Sequence, residues 1–263
     1  MEVLGYIAAV FMGATLGMIG SGGSILTVPI LVYLFGISPS VATGYSLFIV
    51  GSTALAGSFS YIRKGEVQFK TALNLALPGF AGVYLSRSVL HPSIPGQLFN
   101  IGETVVTKDT FLMTLFSLLM LISALSMIRG RSSAAAPKRS SSLQSFSAAL
   151  QGFGIGLIAG LVGAGGGFLI VPALVFLAGL DMKTAVGTSL LIIAINTLFG
   201  FTGDLDNHDL IDWPFLISIA AVAIVGILLG TAISRRISDT NLKKAFGWLV
   251  LLMGCGILFD QLY

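Results

Sequence analysis

Two glycine-rich stretches with nearby hydroxyl residues are the parts of this sequence best suited to bind a ligand. The first reads GSGGSILTVP at residues 20–29, and the second reads GAGGGFLIVP at residues 163–172. Both lie within long apolar runs. Each Gly costs about 1 kcal/mol relative to Ala in a helix and lets the backbone leave helical geometry. Each stretch therefore predicts a helix, a break and a second, short helix, beginning near Ser24 in one case and Gly167 in the other.

The start of a helix after such a break suits an anion. Its first backbone N–H groups have no partner within the helix and carry the positive end of the helix dipole. Hydroxyl and amide side chains further along the chain add hydrogen-bond donors. The predicted substrate-binding residues are Gly22, Gly23, Ser24, Ser46, Gly165, Gly166, Gly167, Thr188, Ser189 and Asn196.

Two of these predictions have a structural alternative. Glycines also allow helices to pack closely. Asn196 lies in the apolar run LLIIAINTLFG, and a buried amide needs hydrogen-bond partners. It either bonds to the neighbouring part of the protein or touches the substrate.

The two glycine stretches belong to an internal repeat. An offset of 143 residues relates Gly20 to Gly163 and Ser46 to Ser189, among many other pairs. The offset holds over about 45 residues, which indicates two related halves. We predict a first membrane repeat at residues 1–128, a basic Ser/Ala-rich cytoplasmic linker at 129–144 and a second membrane repeat at 145–263. Broken helices at matching positions of two halves are typical of transporter binding sites.

The composition indicates an integral membrane protein. Hydrophobic residues make up 55% of the chain, charged residues make up 10%, and the mean hydropathy is +0.97. A soluble domain carries about 25% charged residues. The apolar runs are continuous rather than alternating, which favours helices over a β-barrel. The single cysteine, Cys255, excludes an internal disulfide. No metal site and no cofactor are expected.

The apolar runs predict an all-α membrane protein of about ten helical segments. They are residues 3–19, 25–35, 41–61, 71–86 and 110–128 in the first half, and 146–162, 168–178, 183–201, 213–233 and 245–259 in the second. The second segment of each half is shorter than the roughly 20 residues needed to cross a bilayer. Whether these short helices are re-entrant or spanning stays open.

The basic residues predict the orientation. Lys and Arg cluster at residues 63–70, 129–139 and 235–244. With five segments per half, all three clusters fall on one side, which is the cytoplasmic side of the inner membrane by the positive-inside rule. Both termini then lie outside. An odd number of segments also turns the second half upside down, so the repeats have inverted topology.

Charged residues are expected at the ends of the segments only. No carboxylate lies in the middle of a predicted span, so no proton relay is predicted. Arg87 ends the fourth segment, where we expect it to extend to the surface or attract anions to an entrance. The acidic run Asp204–Asp212 is predicted to be a solvated outside loop rather than a metal site. Neither an ATP-binding motif nor a hydrolytic Ser-His-acid set is present, so the protein is not expected to be an enzyme.

Residues 159–172, AGLVGAGGGFLIVP, followed by AVGTS at 185–189, resemble the TauE/SafE sulfite-exporter-like permeases of the 4-toluene sulfonate uptake permease superfamily. Residues 17–29 and 42–46 are the first-half copy. The copies differ where Ser24 stands in place of Gly167 and Tyr45 in place of Thr188. The resemblance implies movement of sulfur-containing anions such as sulfite and organosulfonates.

The sequence thus predicts a secondary transporter that moves small sulfur-containing or related organic anions across the cytoplasmic membrane by alternating access. An anion channel with the same broken-helix site is the alternative, and an intramembrane enzyme or a subunit that hands substrate to a partner is a second one. The expected partners are a small anionic substrate and the lipid bilayer, with no nucleic acid. Proton coupling through the substrate itself, a homo-oligomer, the direction of transport and the identity of the substrate are left open.

Overall fold

Ten helices and one short hairpin account for nearly all of the chain that the structure, a computed structural model, describes: residues 2–101, 104–129, 141–163, 167–176, 178–203, 211–234 and 239–262. The first half contains α1 (Glu2–Ile19), α2 (20–34), α3 (Pro39–Ile62), α4 (Phe69–Leu85) and α5 (Lys108–Ile128). The second half contains α6 (Ser141–Val162), α7 (Gly167–Phe176), α8 (Met182–Phe201), α9 (Trp213–Ile233) and α10 (Asp239–Leu262). The predicted all-α architecture is confirmed.

The short helix α2 changes its hydrogen-bond pattern along its length. It has 3-10 turns at Gly20–Leu26, one α turn at Thr27–Pro29 and π turns at Ile30–Leu34. Pro29 has no N–H to donate to the carbonyl four residues earlier, and the π turns begin at the next residue, Ile30. The prediction that this helix begins near Ser24 is wrong, because helical turns already begin at Gly20.

Glycines with a left-handed backbone mark the same points in both halves. Gly20 and Gly163 each have φ of 73° and directly follow α1 and α6. Gly36 (φ 69°) and Gly179 (φ 67°) follow α2 and α7. L-residues with a side chain rarely adopt this conformation. Each break therefore turns at the first glycine of its cluster rather than at the later glycines that the sequence analysis emphasised.

The chain after α4 is more regular than predicted. α4 continues through π turns at Ser86–Leu90 and one α turn at His91–Ser93. Strands β1 (Gln97–Ile101) and β2 (Thr104–Thr107) then pair antiparallel before α5. The sequence of residues 91–109, which is polar and rich in Pro and Gly, indicates only a connection between two segments.

The main contacts between the halves occur in matching pairs. Helix α1 packs on α9, and its counterpart α6 packs on α4. Likewise α3 packs on α9, and α8 packs on α4. The remaining pairs join counterparts directly: α2 with α7, α3 with α8, and α5 with α10. Replacing each helix by its counterpart in the other half, for example α1 by α6 and α9 by α4, gives the same set of contacts.

Glycines permit the close approach of these helices. A Cβ at Gly13 of α1 would overlap the carbonyl of Ala223 on α9. At the counterpart Gly156 of α6, a Cβ would overlap the carbonyl of Gly79 on α4. Small residues at such crossings let backbones touch, as in other membrane helix pairs.

The helices suit a membrane environment. Four of them are long and apolar enough to cross a bilayer: Pro39–Ile62, Lys108–Leu125, Met182–Phe201 and Trp213–Ile233. Large apolar side chains are exposed on the outside of the bundle, including Ile7, Leu77, Ile122, Leu150 and Leu252. Lipid tails can cover such surfaces, which water would disfavour.

Candidate functional site

The first break is a tight packing point between α1 and α2. Gly23 is buried, and a Cβ there would overlap the backbone of Leu16. Ser24 is fully buried beside it, and Gly22 lies within the same 3-10 turns. The packing alternative therefore accounts for Gly23. Its contact with α1 also keeps the start of α2 at a fixed place.

Two serines that the repeat relates lie against the break of the opposite half. The hydroxyl of Ser46 on α3 donates to the carbonyl oxygens of Gly163 and Thr43, the latter at 2.8 Å. Since a hydroxyl has one hydrogen, these two acceptors share it. On α8, Ser189 donates to the Val186 carbonyl at 2.8 Å. Its Oγ lies 2.9 Å from where a Cβ of Gly20 would be. Each break thus lies against a serine of the other half, and Ser46 also donates a hydrogen bond to the second break.

Thr188 serves a different contact. It is fully buried, and its Oγ1 accepts a hydrogen bond of 3.0 Å from the backbone N–H of Gln68, the residue before α4. The preceding Gly187 lies against the carbonyl of Glu66. Thr188 therefore fixes the start of α4 on α8, and its hydroxyl is engaged there.

Asn196 faces α4 of the first half. It is 2% exposed, and its Nδ2 lies 2.5 Å from where a Cβ of Gly79 would be. Its Oδ1 has no hydrogen-bond partner within the described ranges. The counterpart residue Thr53 donates to the Ile49 carbonyl of its own helix at 2.6 Å. Asn196 thus packs against the neighbouring half. The two alternatives for its amide, a bond to that half and a contact with the substrate, stay predictions.

The largest departure from the sequence analysis is Arg87. It was expected to extend to the surface, but it is 2% exposed. Its Nη1 donates to Thr43 Oγ1 at 3.1 Å and to the Gly160 carbonyl oxygen at 3.3 Å. The π turns that prolong α4 keep Arg87 inside the bundle instead of at a helix end. The apolar Val89 and Leu90 after Arg87 were the sequence signal that the helix continues.

A second polar group accompanies the arginine. Ser86 is fully buried, and its hydroxyl has no hydrogen-bond partner in the part of the chain that is described. Its Oγ lies 2.8 Å from where a Cβ of Gly160 would be. We refer to Thr43, Ser86 and Arg87 as the second-break cluster, because they surround the last turn of α6 next to Gly163.

Part of the predicted site lies outside the described residues. This holds for Gly165 and Gly166. The acidic residues Asp204, Asp206 and Asp209, which are predicted to lie in a solvated outside loop, are outside the described ranges as well. Gly167 is the first residue of α7, as predicted. Within the described ranges, no group of His, Cys, Asp and Glu side chains could hold a metal ion.

Comparison with known proteins gives a consistent picture. The family model described as "Sulfite exporter TauE/SafE" matches residues 5–257. A "Probable membrane transporter protein" of Xylella fastidiosa (strain 9a5c) is 34% identical over 253 residues, covering 94% of this chain and 91% of that protein. The "Probable membrane transporter protein YunE" of Bacillus subtilis (strain 168) is 28% identical over 280 residues, covering 99% of this chain and 97% of that protein. No solved structure matches significantly.

Proposed function

The chain belongs to the sulfite exporter TauE/SafE family of membrane transporters, and we propose that it moves small sulfur-containing anions across the cytoplasmic membrane by alternating access. The observation that carries this proposal is the pair of helix breaks at Gly20 and Gly163, which have the same left-handed backbone. Broken helices at matching points of two halves create substrate sites in secondary transporters. The family name supplies the sulfur-containing substrate class.

The packing of the helices supports the alternating-access part of the proposal. Every main contact between the halves has a counterpart under exchange of the halves, as in α1 with α9 and α6 with α4. A bundle of this kind has two equivalent ways to open if its repeats are inverted in the membrane. We therefore propose inverted-topology repeats, with basic loops in the cytoplasm and both chain termini outside.

The contacts at the breaks support a substrate site between the halves. Ser46 ties α3 to Gly163, and Ser189 lies against Gly20. A movement of one half against the other would change both contacts at once. Substrate contacts by the glycines and by Ser24, Ser46, Thr188, Ser189 and Asn196 stay predictions.

A thermal-shift screen of the purified protein in detergent tests the substrate class. The ligands are sulfite, sulfate, thiosulfate, taurine, sulfoacetate, acetate, lactate and chloride. A ligand that binds only the folded state raises the apparent stability with the logarithm of its concentration. We expect concentration-dependent shifts with sulfur oxyanions or sulfonates. Shifts with carboxylates alone would contradict the sulfur assignment, and no shift with any ligand would contradict the anion site.

A further inference from the structure

The two breaks differ in the group that binds the last turn of the preceding helix. The carbonyl oxygen of Gly17 in α1 accepts a hydrogen bond of 2.8 Å from the Tyr61 hydroxyl. The equivalent carbonyl of Gly160 in α6 accepts one of 3.3 Å from Arg87 Nη1. The repeat relates these two glycines by 143 positions. A neutral phenol thus occupies the first break, and a cation occupies the second.

The packing of α4 and α9 identifies the counterpart of Arg87. Gly82 of α4 lies against the carbonyl of Phe153, and Gly226 of α9 lies against the carbonyl of Val10. Phe153 and Val10 are 143 positions apart, whereas Gly226 and Gly82 are 144 apart. In space, therefore, α4 and α9 correspond with an offset of 144.

With this offset, Arg87 corresponds to Thr231, and Ser86 corresponds to Gly230. The Thr231 hydroxyl donates to the Leu228 carbonyl of its own helix at 2.9 Å. Thr43, the third member of the second-break cluster, corresponds to an apolar residue, Val186. The cation and both hydroxyls of the cluster are thus replaced by residues without charge at the first break.

A cation buried within a membrane protein, as Arg87 is, is costly and marks a functional site by default. A guanidinium is planar and presents its N–H groups in a fork that matches the oxygens of a carboxylate, sulfonate or sulfite. The buried hydroxyl of Ser86, which lacks a partner in the described ranges, adds a donor next to the same turn. The cluster thus offers an oxyanion a cation and a buried hydroxyl beside one turn, whereas the described counterparts of Arg87 and Ser86, which are Thr231 and Gly230, carry no charge.

We infer that the second break alone holds the transported anion, and that it is an oxyanion bound by the Arg87 guanidinium and the Ser86 hydroxyl. Thr43 donates its own hydroxyl hydrogen to the Ser40 carbonyl at 2.8 Å and accepts from Arg87, so it orients the guanidinium rather than binding the anion. This inference rests on the proposed function and names the residues of its site. A single charged site in a bundle of two related halves also explains why both halves have the break glycines but differ at these three positions. The anion is then held mainly by α4 next to the end of α6, with Arg87 oriented by Thr43 of α3.

Anion affinity in Arg87→Gln, measured by isothermal titration of the full-length protein in detergent, tests this inference. The probes are sulfite, acetate and chloride. The matched control is Arg63→Gln, which removes the same charge from an exposed position at the end of α3. We expect Arg87→Gln to weaken sulfite binding about tenfold or more, since charge-assisted hydrogen bonds are stronger than neutral ones. Arg63→Gln should bind like the wild type.

A second variant keeps the inference testable if Arg87→Gln does not fold. Ser86→Ala removes a buried hydroxyl without a described partner, so it should leave thermal stability unchanged or raise it. If that hydroxyl binds the anion, affinity for sulfite should fall about fivefold. A purely structural role would not lower affinity while leaving stability intact.

The outcomes distinguish a failure of the proposed function from a failure of this inference alone. A wild type that binds none of the probes contradicts the proposed function and this inference with it. A wild type that binds sulfite while Arg87→Gln, or Ser86→Ala in its place, binds equally well overturns only the inference. Chloride binding as tight as sulfite binding would also overturn it, because a spherical halide cannot use the fork of the guanidinium.

Discussion

Ser46 of α3 donates a hydrogen bond to the carbonyl of Gly163, the left-handed residue at which the second helix break turns. The two residues are 117 positions apart and belong to different halves of the repeat. The bond joins a continuous helix of one half to the break of the other. The proposed substrate site lies at this junction. In variants of these residues, the thermal stability of the protein and its affinity for the anion can be measured separately.

Removing the Ser46 hydroxyl should destabilise the protein. Ser46→Ala takes a buried hydrogen-bond donor away from the Gly163 carbonyl, and we expect a loss of about 1–2 kcal/mol. Thermal unfolding in detergent measures it. The control is Ser58→Ala on the same helix, where the hydroxyl bonds only to the Leu55 carbonyl of its own helix. Equal shifts for the two variants would show that the bond between the halves adds nothing.

Gly163→Ala should destabilise the protein more than Gly36→Ala does. Both glycines have a positive φ, so both variants incur the roughly 1–2 kcal/mol strain of a left-handed Ala. At Gly163 a Cβ would also overlap the backbone of Thr43, whereas at Gly36 nothing lies within 4 Å. Unfolding temperatures of the two variants give the comparison. Similar losses would mean that the contact between Gly163 and Thr43 is loose in solution.

Ser189→Ala should lower stability but leave anion affinity within about twofold of the wild type, a change of less than 0.5 kcal/mol. Ser189 lies at the first break, which has no cation in our account. Titration with sulfite measures the affinity. A clear weakening would instead support the sequence-based prediction that both breaks contact the substrate.

The stability of the protein should depend on pH through His91, which lies beyond the predicted span 71–86, in the last turn of the prolonged α4. Burial, with the charges of Arg87 and Lys108, lowers the pKa of His91 to about 3. Its Nδ1 lies 3.4 Å from the Lys108 ammonium. An imidazole in the unfolded chain has a pKa near 6.5. Between those two pKa values the imidazole is protonated in the unfolded state but not in the folded state. The contribution of His91 to the stability of the folded state is therefore fully present above about pH 6.5 and is lost as the pH decreases.

The variant His91→Gln removes this titration and keeps an acceptor for Lys108. On acidification from pH 7.5 to pH 5, we expect the unfolding temperature of the wild type to fall further than that of His91→Gln. Other titrating groups are common to both proteins and cancel. Parallel curves for the two proteins would contradict the low pKa.

Much of the fold could be predicted, because the length of each apolar run indicates a membrane helix and the internal repeat relates the helices of the two halves. Helix α9 has the predicted bounds, since Pro214 lies in its first turn and the Asp212 side chain accepts from the Phe215 N–H at 3.0 Å. The offset of 143 placed the glycine breaks correctly in both halves. The left-handed residue within each cluster could not be identified, because that depends on which glycine meets the opposite half.

The position of Arg87 illustrates what the sequence alone did not reveal. A single arginine near the end of an apolar run resembles a residue at the membrane surface. Its burial depends on the π turns of Ser86–Leu90 and on the contact of α4 with α6. The hairpin at residues 97–107 was also missed, because its two strands are only five and four residues long.

Counterflow of radiolabelled sulfite in proteoliposomes tests whether the protein transports sulfite by alternating access. Vesicles that contain the full chain are loaded with unlabelled sulfite and diluted into a trace of labelled sulfite. A transporter that works by alternating access should accumulate label transiently above equilibrium and saturate with rising sulfite concentration. Label that enters only to equilibrium, without overshoot or saturation, would contradict alternating access and assign the protein to the channel alternative.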